Sequence, residues 1–239
     1  MTRTHLITVV AIVTLSFASF GQAWAQTELI VNGGFESGLS SWTASGSFYY
    51  WNNPARAHSG SQYAYFGVAS DGATPLVNGS GSIYQSISIP SGATSATLSF
   101  WLWVASDEGT TVAYDYLYVE VLNSSGSLLA TLATYSNRDK SGSFSSTTPA
   151  YQQKSLSLTA YAGQTIRIRF RGTTDYRTAT IFRLDDVSVS STVPPPAARI
   201  DSYSPSSPVE VTVGSSTTIS VTFTNTGNTA WSFIAGATV

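Results

Sequence analysis

The sequence predicts an all-β fold, an antiparallel jelly-roll β-sandwich. Three observations carry this. First, apolar residues recur at every second position. Leu98, Phe100, Leu102 and Val104 alternate with Ser99, Trp101 and Trp103; Leu117, Val119 and Val121 alternate with Tyr116, Tyr118 and Glu120; Ile166, Ile168 and Phe170 alternate with Arg167, Arg169 and Arg171. A period of two sends neighbouring side chains to opposite faces of a strand. Second, turn residues bound each run, as at 89–92 (IPSG), 123–126 (NSSG) and 162–163 (AG). Gly and Asn accept positive φ and proline fixes φ, so these tetrads and pairs turn the chain. Third, no window of about a dozen residues carries a helical stripe. About ten candidate strands fall between residues 28 and 190, at the spacing typical of antiparallel sandwiches.

Residues 1–25 have the form of a secretory signal peptide. Arg3 supplies the positive end, residues 6–20 are an apolar run too short to span a bilayer, and Ala23-Trp24-Ala25 is a small-residue cleavage site. The expected mature chain starts at Gln26, is secreted, and carries no later segment for membrane insertion. Residues 26–191 form the predicted sandwich. A short strand at 29–31 leads into the turn Asn32-Gly33-Gly34, after which Phe35 is placed to plug the core. Residues 48–53 (FYYWNN), just before Pro54, are expected to form a rim loop. The run Val193-Pro194-Pro195-Pro196 breaks the alternation, because three prolines favour an extended spacer without ladder hydrogen bonds. A linker is therefore expected at 192–198. Beyond it, 209–213 (VEVTV) and 218–223 (TISVTF) restart the β pattern, and 222–231 (TFTNTGNTAW) resembles the middle strands of bacterial immunoglobulin-like repeats. That resemblance implies a partial immunoglobulin-like β-sandwich over 199–239. Such a domain needs about 100 residues, so the expectation is an incomplete module cut short at Val239.

Composition excludes several classes. Charged residues make up 10% of the chain and the net charge is −2, with no basic patch of the kind nucleic acid requires. The absence of cysteine removes disulfides, thiolate metal sites and thiol catalysis. His58 is the sole histidine after the expected cleavage site, and no nucleophile motif accompanies it, so neither a histidine zinc site nor a Ser-His-Asp triad has support. Asp107 and Glu108 lie in a turn-like SDEGT and are expected to be solvated. Asp115 and Asp175 suit a turn cap or a metal neighbour, and no two acids form a glycosidase pair. The chain is not expected to be an enzyme.

Two stretches stand out: 31–42 (VNGGFESGLSSW) and, far along the chain, 182–189 (FRLDDVSV). Adjacent acids at the start of a core strand are costly to bury unpaired. Arg183 is one possible partner; a hard cation, which takes oxygen ligands only, is the other. Taken with 57–67 (AHSGSQYAYFG), these stretches resemble the frame of jelly-roll carbohydrate-binding modules and their galactose-binding-like relatives. Residues 114–121 (YDYLYVEV) and 157–172 (SLTAYAGQTIRIRFRG) narrow the resemblance to the MAM-like domains of secreted bacterial metallopeptidases, over about residues 28 to 190. The resemblance implies a structural Ca²⁺, in some relatives Na⁺, near the N- and C-terminal strands. Its ligands would be the Gly34 carbonyl, the Glu36 carboxylate, a backbone carbonyl near His58, Ser59 or Gly60, and Asp185 or Asp186. Without the ion, these acids would pair with Arg183 or backbone amides.

The resemblance also implies a glycan or cell-surface polysaccharide as partner. Two clusters could meet it. Trp101 and Trp103, Tyr116 and Tyr118, and Arg167 and Arg169 occupy outward positions of three strands, and form one platform if those strands share a sheet. The second cluster is Tyr50, Trp51 and Asn52. Outward aromatics also pack under long loops, so a structural role stays open for both. The expected function is noncatalytic glycan binding. Its rival is an adhesive or spacing module that contacts other extracellular protein domains.

Overall fold

The computed structural model describes residues 25–70, 73–176 and 178–194, together with the backbone of 199–204 and 220–224. Residues 25–194 form one compact unit, an antiparallel β-sandwich. Its strands are β1 (Ala25–Glu28), β2 (Thr43–Gly46), β3 (Phe48–Asn52), β4 (Gln62–Phe66), β5 (Ser80–Ser88), β6 (Ser95–Ser106), β7 (Tyr116–Asn123), β8 (Leu128–Ser136), β9 (Gln152–Ser157), β10 (Thr165–Thr173) and β11 (Thr180–Val193). One sheet runs β3-β4-β11-β6-β9, with β1 also paired to β11; the other runs β2-β5-β10-β7-β8. Each sheet thus interleaves early and late strands, as in a jelly roll. Among the described residues no helix is long and apolar enough to cross a membrane. The rest of the expected leader lies outside the described residues; Ala25 is the first residue of β1.

The alternating runs fill the core. Leu98, Phe100, Leu102 and Val104 on β6 face Ile166, Ile168 and Phe170 on β10 and Leu117, Val119 and Val121 on β7, all buried. Phe100 meets Phe170 edge-on at 5.2 Å between ring centroids. At Gly172 an added Cβ would fall 2.1 Å from the Phe66 ring, so a missing side chain on one sheet makes room for a phenylalanine of the other.

The stretch 31–42 closes one end of the sandwich. Phe35 is fully buried at φ +57°, against Trp42 at 5.4 Å, and so plugs the core as expected. The strand expected at 29–31 instead lies at β1, a few residues earlier. The Glu28 carboxylate accepts from the Ile30 and Val189 amides, and the Gln85 side chain pairs both ways with the Val31 backbone. The Leu29 amide still bonds the Val189 carbonyl at 2.9 Å, and side chains reinforce the pairing from there on. Gly33 then accepts from the Val187 amide at 3.0 Å, which joins the opening stretch to the last strand.

Strand β11 pairs with β4, β6 and β1, with a register shift against β6 between Asp185 and Ser188 where Asp186 sits at φ +46°. It runs on to Val193, two residues into the stretch expected as linker. In the other unit, Arg199–Ser204 (β12) and Ser220–Thr224 (β13) pair antiparallel. Of the stretches behind the immunoglobulin-like reading, residues 209–213, 218–219 and 225–231 lie outside the described residues.

Candidate binding face and terminal corner

The platform expected from strand parity divides between the two sheets. Tyr116 and Tyr118 (β7) share a sheet with Arg167 and Arg169 (β10), whereas Trp101 and Trp103 (β6) belong to the opposite one. Trp103 does not face a ligand: it is fully buried. Parity does point it out of its sheet, but residues 142–151 cover that side. Tyr151 meets the Trp103 ring edge-on at 5.7 Å, and Phe144, Tyr63, Tyr65 and Ile181 complete a second apolar cluster. Arg183 lies over Trp103 at 4.1 Å and is itself buried. Burial pulls its pKa below the usual guanidinium range. Trp101 is half-buried, stacked on the His58 ring at 3.9 Å.

The second cluster is a strand, not a rim loop. Tyr50, Trp51 and Asn52 belong to β3, an edge strand paired with β4. Trp51 packs towards Tyr65 at 5.9 Å, while Tyr50 lies over Gly38. The alternation that makes this a strand sends the two rings to opposite faces, so they do not form one stacking surface.

What remains open is the outer face of the β2-β5-β10-β7-β8 sheet. The register aligns a row across it: Ser45 opposite Ser82, Ser82 opposite Arg171, Arg171 opposite Tyr118, and Tyr118 opposite Thr134. Tyr116 and Tyr118 stack with centroids 5.8 Å apart and planes at 20°. Arg171 lies over the Tyr118 ring at 4.1 Å, and Arg167 over the Tyr84 ring at 4.9 Å. Beneath the arginines, Glu120 is almost fully buried. It accepts from Arg169 Nε at 2.8 Å and from Arg171 Nη2 at 2.9 Å and Nε at 3.2 Å. Such charge-assisted bonds fix the guanidinium planes. Open clefts flank the row. One, of about 490 Å³, is lined by Thr110, Tyr116, Thr134 and Ser136 among others; the other, of about 200 Å³, by Ser45, Ser80, Ser82, Arg171 and Thr173. Strand spacing of about 4.8 Å makes the row about 19 Å long.

Parity marks Tyr116, Tyr118, Arg167 and Arg169 as outward. It does not show that Glu120 binds two of the arginines, nor that Tyr84 and Ser82 join from β5. The signal for those partners is cross-strand register, which a single sequence leaves undefined.

The residues expected to hold calcium do converge at one corner. An added Cβ on Gly34 would lie 3.3 Å from Asp186 Oδ1, and Ser59 Oγ donates to that oxygen at 2.7 Å. Asp186 Oδ2 meets His58 Nδ1 at 2.6 Å. Asp185 is fully buried and accepts three amides: His58 and Ser59 on Oδ2, and Asp186 on Oδ1. Burial pushes its pKa up to about 7, and the neighbouring Asp186 charge adds to this. Glu36 accepts from the Gln62 and Ser61 amides at 2.9 Å and from Ser61 Oγ at 2.8 Å. Those bonds hold its carboxyl below the usual range. Arg183 is not their partner; backbone amides, serine hydroxyls and the His58 ring are. The donor chemistry fits a hard, oxygen-preferring cation. The arrangement is already closed by hydrogen bonds, and among the described residues no three acidic or histidine side chains form a metal-holding group.

At the other end of the sandwich, Glu108 is buried rather than solvated. Asp115 is buried too. It accepts from the Asp175 amide at 2.9 Å, the geometry of a cap, and desolvation raises its pKa.

No family model and no curated protein sequence matches the chain. Solved structures similar to it include the carbohydrate-binding module TmCBM61 in complex with β-1,4-galactotriose. It is 16% identical, covering 68% of this chain and 97% of that one, with a TM-score of 0.47. The K3 cleaved adhesin domain of Lys-gingipain from Porphyromonas gingivalis is 16% identical, covering 70% and 99%, with a TM-score of 0.48. The CBM22-1 xylan-binding domain of Paenibacillus barcinonensis Xyn10C is 14% identical, covering 72% and 97%, with a TM-score of 0.42. At such identities the likeness says nothing of a ligand.

Proposed function

We propose that this chain is a secreted, noncatalytic module that binds a polysaccharide across the outer face of the β2-β5-β10-β7-β8 sheet. The observation that carries the reading is the Tyr116–Tyr118 stack with Arg171 laid on it, set between two hydroxyl-lined clefts. A sugar ring offers an apolar C–H face and a rim of hydroxyls. Aromatic rings take the first; serine and threonine hydroxyls and guanidinium groups take the second. A shallow row about 19 Å long suits an extended chain of such rings better than one enclosed molecule. Glu120, the acid on the strands of this face, is engaged by two arginines, and Asp139, which lines one flanking cleft, bonds the Ser136 amide and hydroxyl; neither is held as an acid–base pair, which supports binding without hydrolysis. The test is titration with a panel of polysaccharides. Tyr118→Ala is expected to weaken binding at least tenfold while the melting temperature stays close to wild type. No binding to any member, with concentration-dependent self-association instead, favours the adhesive MAM-like alternative.

Structural Ca²⁺ at the corner of Gly34, Glu36, Ser59, Asp185 and Asp186 is a separate proposal. The convergence of Gly34, Ser59 and the adjacent Asp185 and Asp186 carboxylates, with Glu36 beside them, supports it. An ion bound only by the folded state raises stability by mass action. A melting temperature that chelator lowers and Ca²⁺ restores is the expected result; a melt indifferent to both removes calcium from the account.

A further inference from the structure

We infer that the polysaccharide recognised by this face carries carboxylates, that is, a uronate-containing anionic glycan held along Arg167, Arg169 and Arg171. The inference rests on the glycan-binding reading and names its substrate class.

Charge is the first argument. On the five strands of this sheet the charged residues are three arginines, all on β10, and one glutamate. The strands of this face therefore carry an excess of two positive charges, and Arg138 and Asp139, which line one flanking cleft, cancel, in a chain whose net charge is −2. Outward side chains two apart on a strand sit about 7 Å from one another, so three guanidinium groups in file repel. Glu120 neutralises one of them. No other acid on these strands offsets the rest, and an anion arriving from solvent would.

Geometry is the second. Arg169 commits Nε to Glu120, and the structure gives its two terminal nitrogens no partner among the described residues. That end-on edge is the fork that matches a planar carboxylate. Arg171 commits Nε and Nη2 to Glu120 and keeps Nη1. Arg167 is tethered through Nη2 to the Ser124 carbonyl at 2.6 Å, over Tyr84, while its buried Nε has no partner. The three heads are thus positioned by the protein without being used up by it. The stacked tyrosines beside them add the ring surface that a bare phosphate or sulfate site would not need.

The experiment is calorimetric titration of the mature chain with oligogalacturonate and oligomannuronate, with the carboxyl-reduced forms of both, and with neutral galactan and xylan. Dextran sulfate and single-stranded DNA are the remaining probes. The expected result is binding to a uronate oligomer that weakens at least tenfold on carboxyl reduction, and that weakens again between about 50 and about 500 mM salt, as screening requires. Arg169→Gln is expected to cost about tenfold, the size of a lost charge-assisted contact. Arg167→Gln, outside the Glu120 pair, gives the same reading if Arg169→Gln does not fold. Neutral glycans bound as tightly, without salt dependence, overturn the inference but leave glycan binding standing. Dextran sulfate or DNA bound as tightly as every uronate overturns the carboxylate assignment. Failure to bind any glycan overturns both readings.

Discussion

Replacing Gly33 by alanine isolates the junction between the opening stretch and the last strand. A Cβ at Gly33 would lie 1.8 Å from the Val187 carbonyl oxygen and 2.9 Å from its carbon. An unstrained carbon–oxygen contact is about 3.3 Å or more, so the two segments must separate by about 1.5 Å. Both obstructing atoms are backbone, which cannot rotate aside. The Val187 amide bond to the Gly33 carbonyl, now 3.0 Å, would be stretched beyond use. Its loss costs about 1 kcal/mol. Overpacking adds about 1–3 kcal/mol. The sum of about 2–4 kcal/mol lowers the melting temperature of a domain this size by roughly 5–15 °C. Gly34→Ala is the matched control. Its Cβ would meet only the Asp186 carboxylate, at 3.3 Å, and neither glycine has a left-handed φ. A neutral or slightly stabilising effect, within about 2 °C, is expected there. Scanning calorimetry of the three proteins decides it. A Gly33→Ala protein that melts with the wild type, or two variants equally damaged, would mean that backbone contact at Gly33 does not limit this junction.

Trp103→Ala is expected to cost about 3–5 kcal/mol in denaturant titration and to act on binding only through folding, because the ring is core. Arg183→Met removes a buried cation whose Nε and Nη1 lack hydrogen-bond partners. It is expected to leave stability within about 1 kcal/mol or to raise it, and a loss above about 3 kcal/mol would contradict this account. Asp185 and Asp115 titrate above the ordinary carboxylate range, so the folded chain keeps protons that the unfolded chain has released. Stability should therefore fall as pH rises from about 4 towards 7. Glu36, shifted the other way, contributes stability above its unfolded pKa that is lost as pH falls through its lowered one. Melting temperatures across pH 3–8 should pass through an acidic maximum; a steady rise to neutrality would rule this out.

Much of the sandwich is legible in the chain because alternation is a local property. The inward sets of β6, β7 and β10 follow from period two alone. Parity tells which way a side chain leaves its own strand, but not which sheet the strand joins or what lies over it. Trp101 and Trp103 show the limit: they do point outward, yet on the sheet opposite Tyr118, and a distant loop carrying Phe144 and Tyr151 roofs over Trp103. Tyr50-Trp51-Asn52 resembles a loop because amides and a proline follow it, and pairing with β4 overrides that local chemistry. The terminal corner was legible as a juxtaposition of residues 31–42 and 182–189. That amides of 58–62 supply the hydrogen bonds was not, since backbone donors leave no trace in residue identity.

The pairing of β1 with β11 also has a mechanical consequence. Ala25 lies directly opposite Val193, so chain enters and leaves the sandwich at neighbouring points on one ladder. In the proposed secreted form, which starts at Gln26, tension applied between the N-terminus and the segment after Val193 would load the three pairs from Gln26–Thr192 to Glu28–Ser190 one after another, as a zipper opens, rather than all at once in shear. Peeling should yield at low force and stop where the Glu28 and Gln85 side chains reinforce the pairing. Single-molecule extension would then show a short, soft first event that leaves the β2-β5-β10-β7-β8 sheet intact.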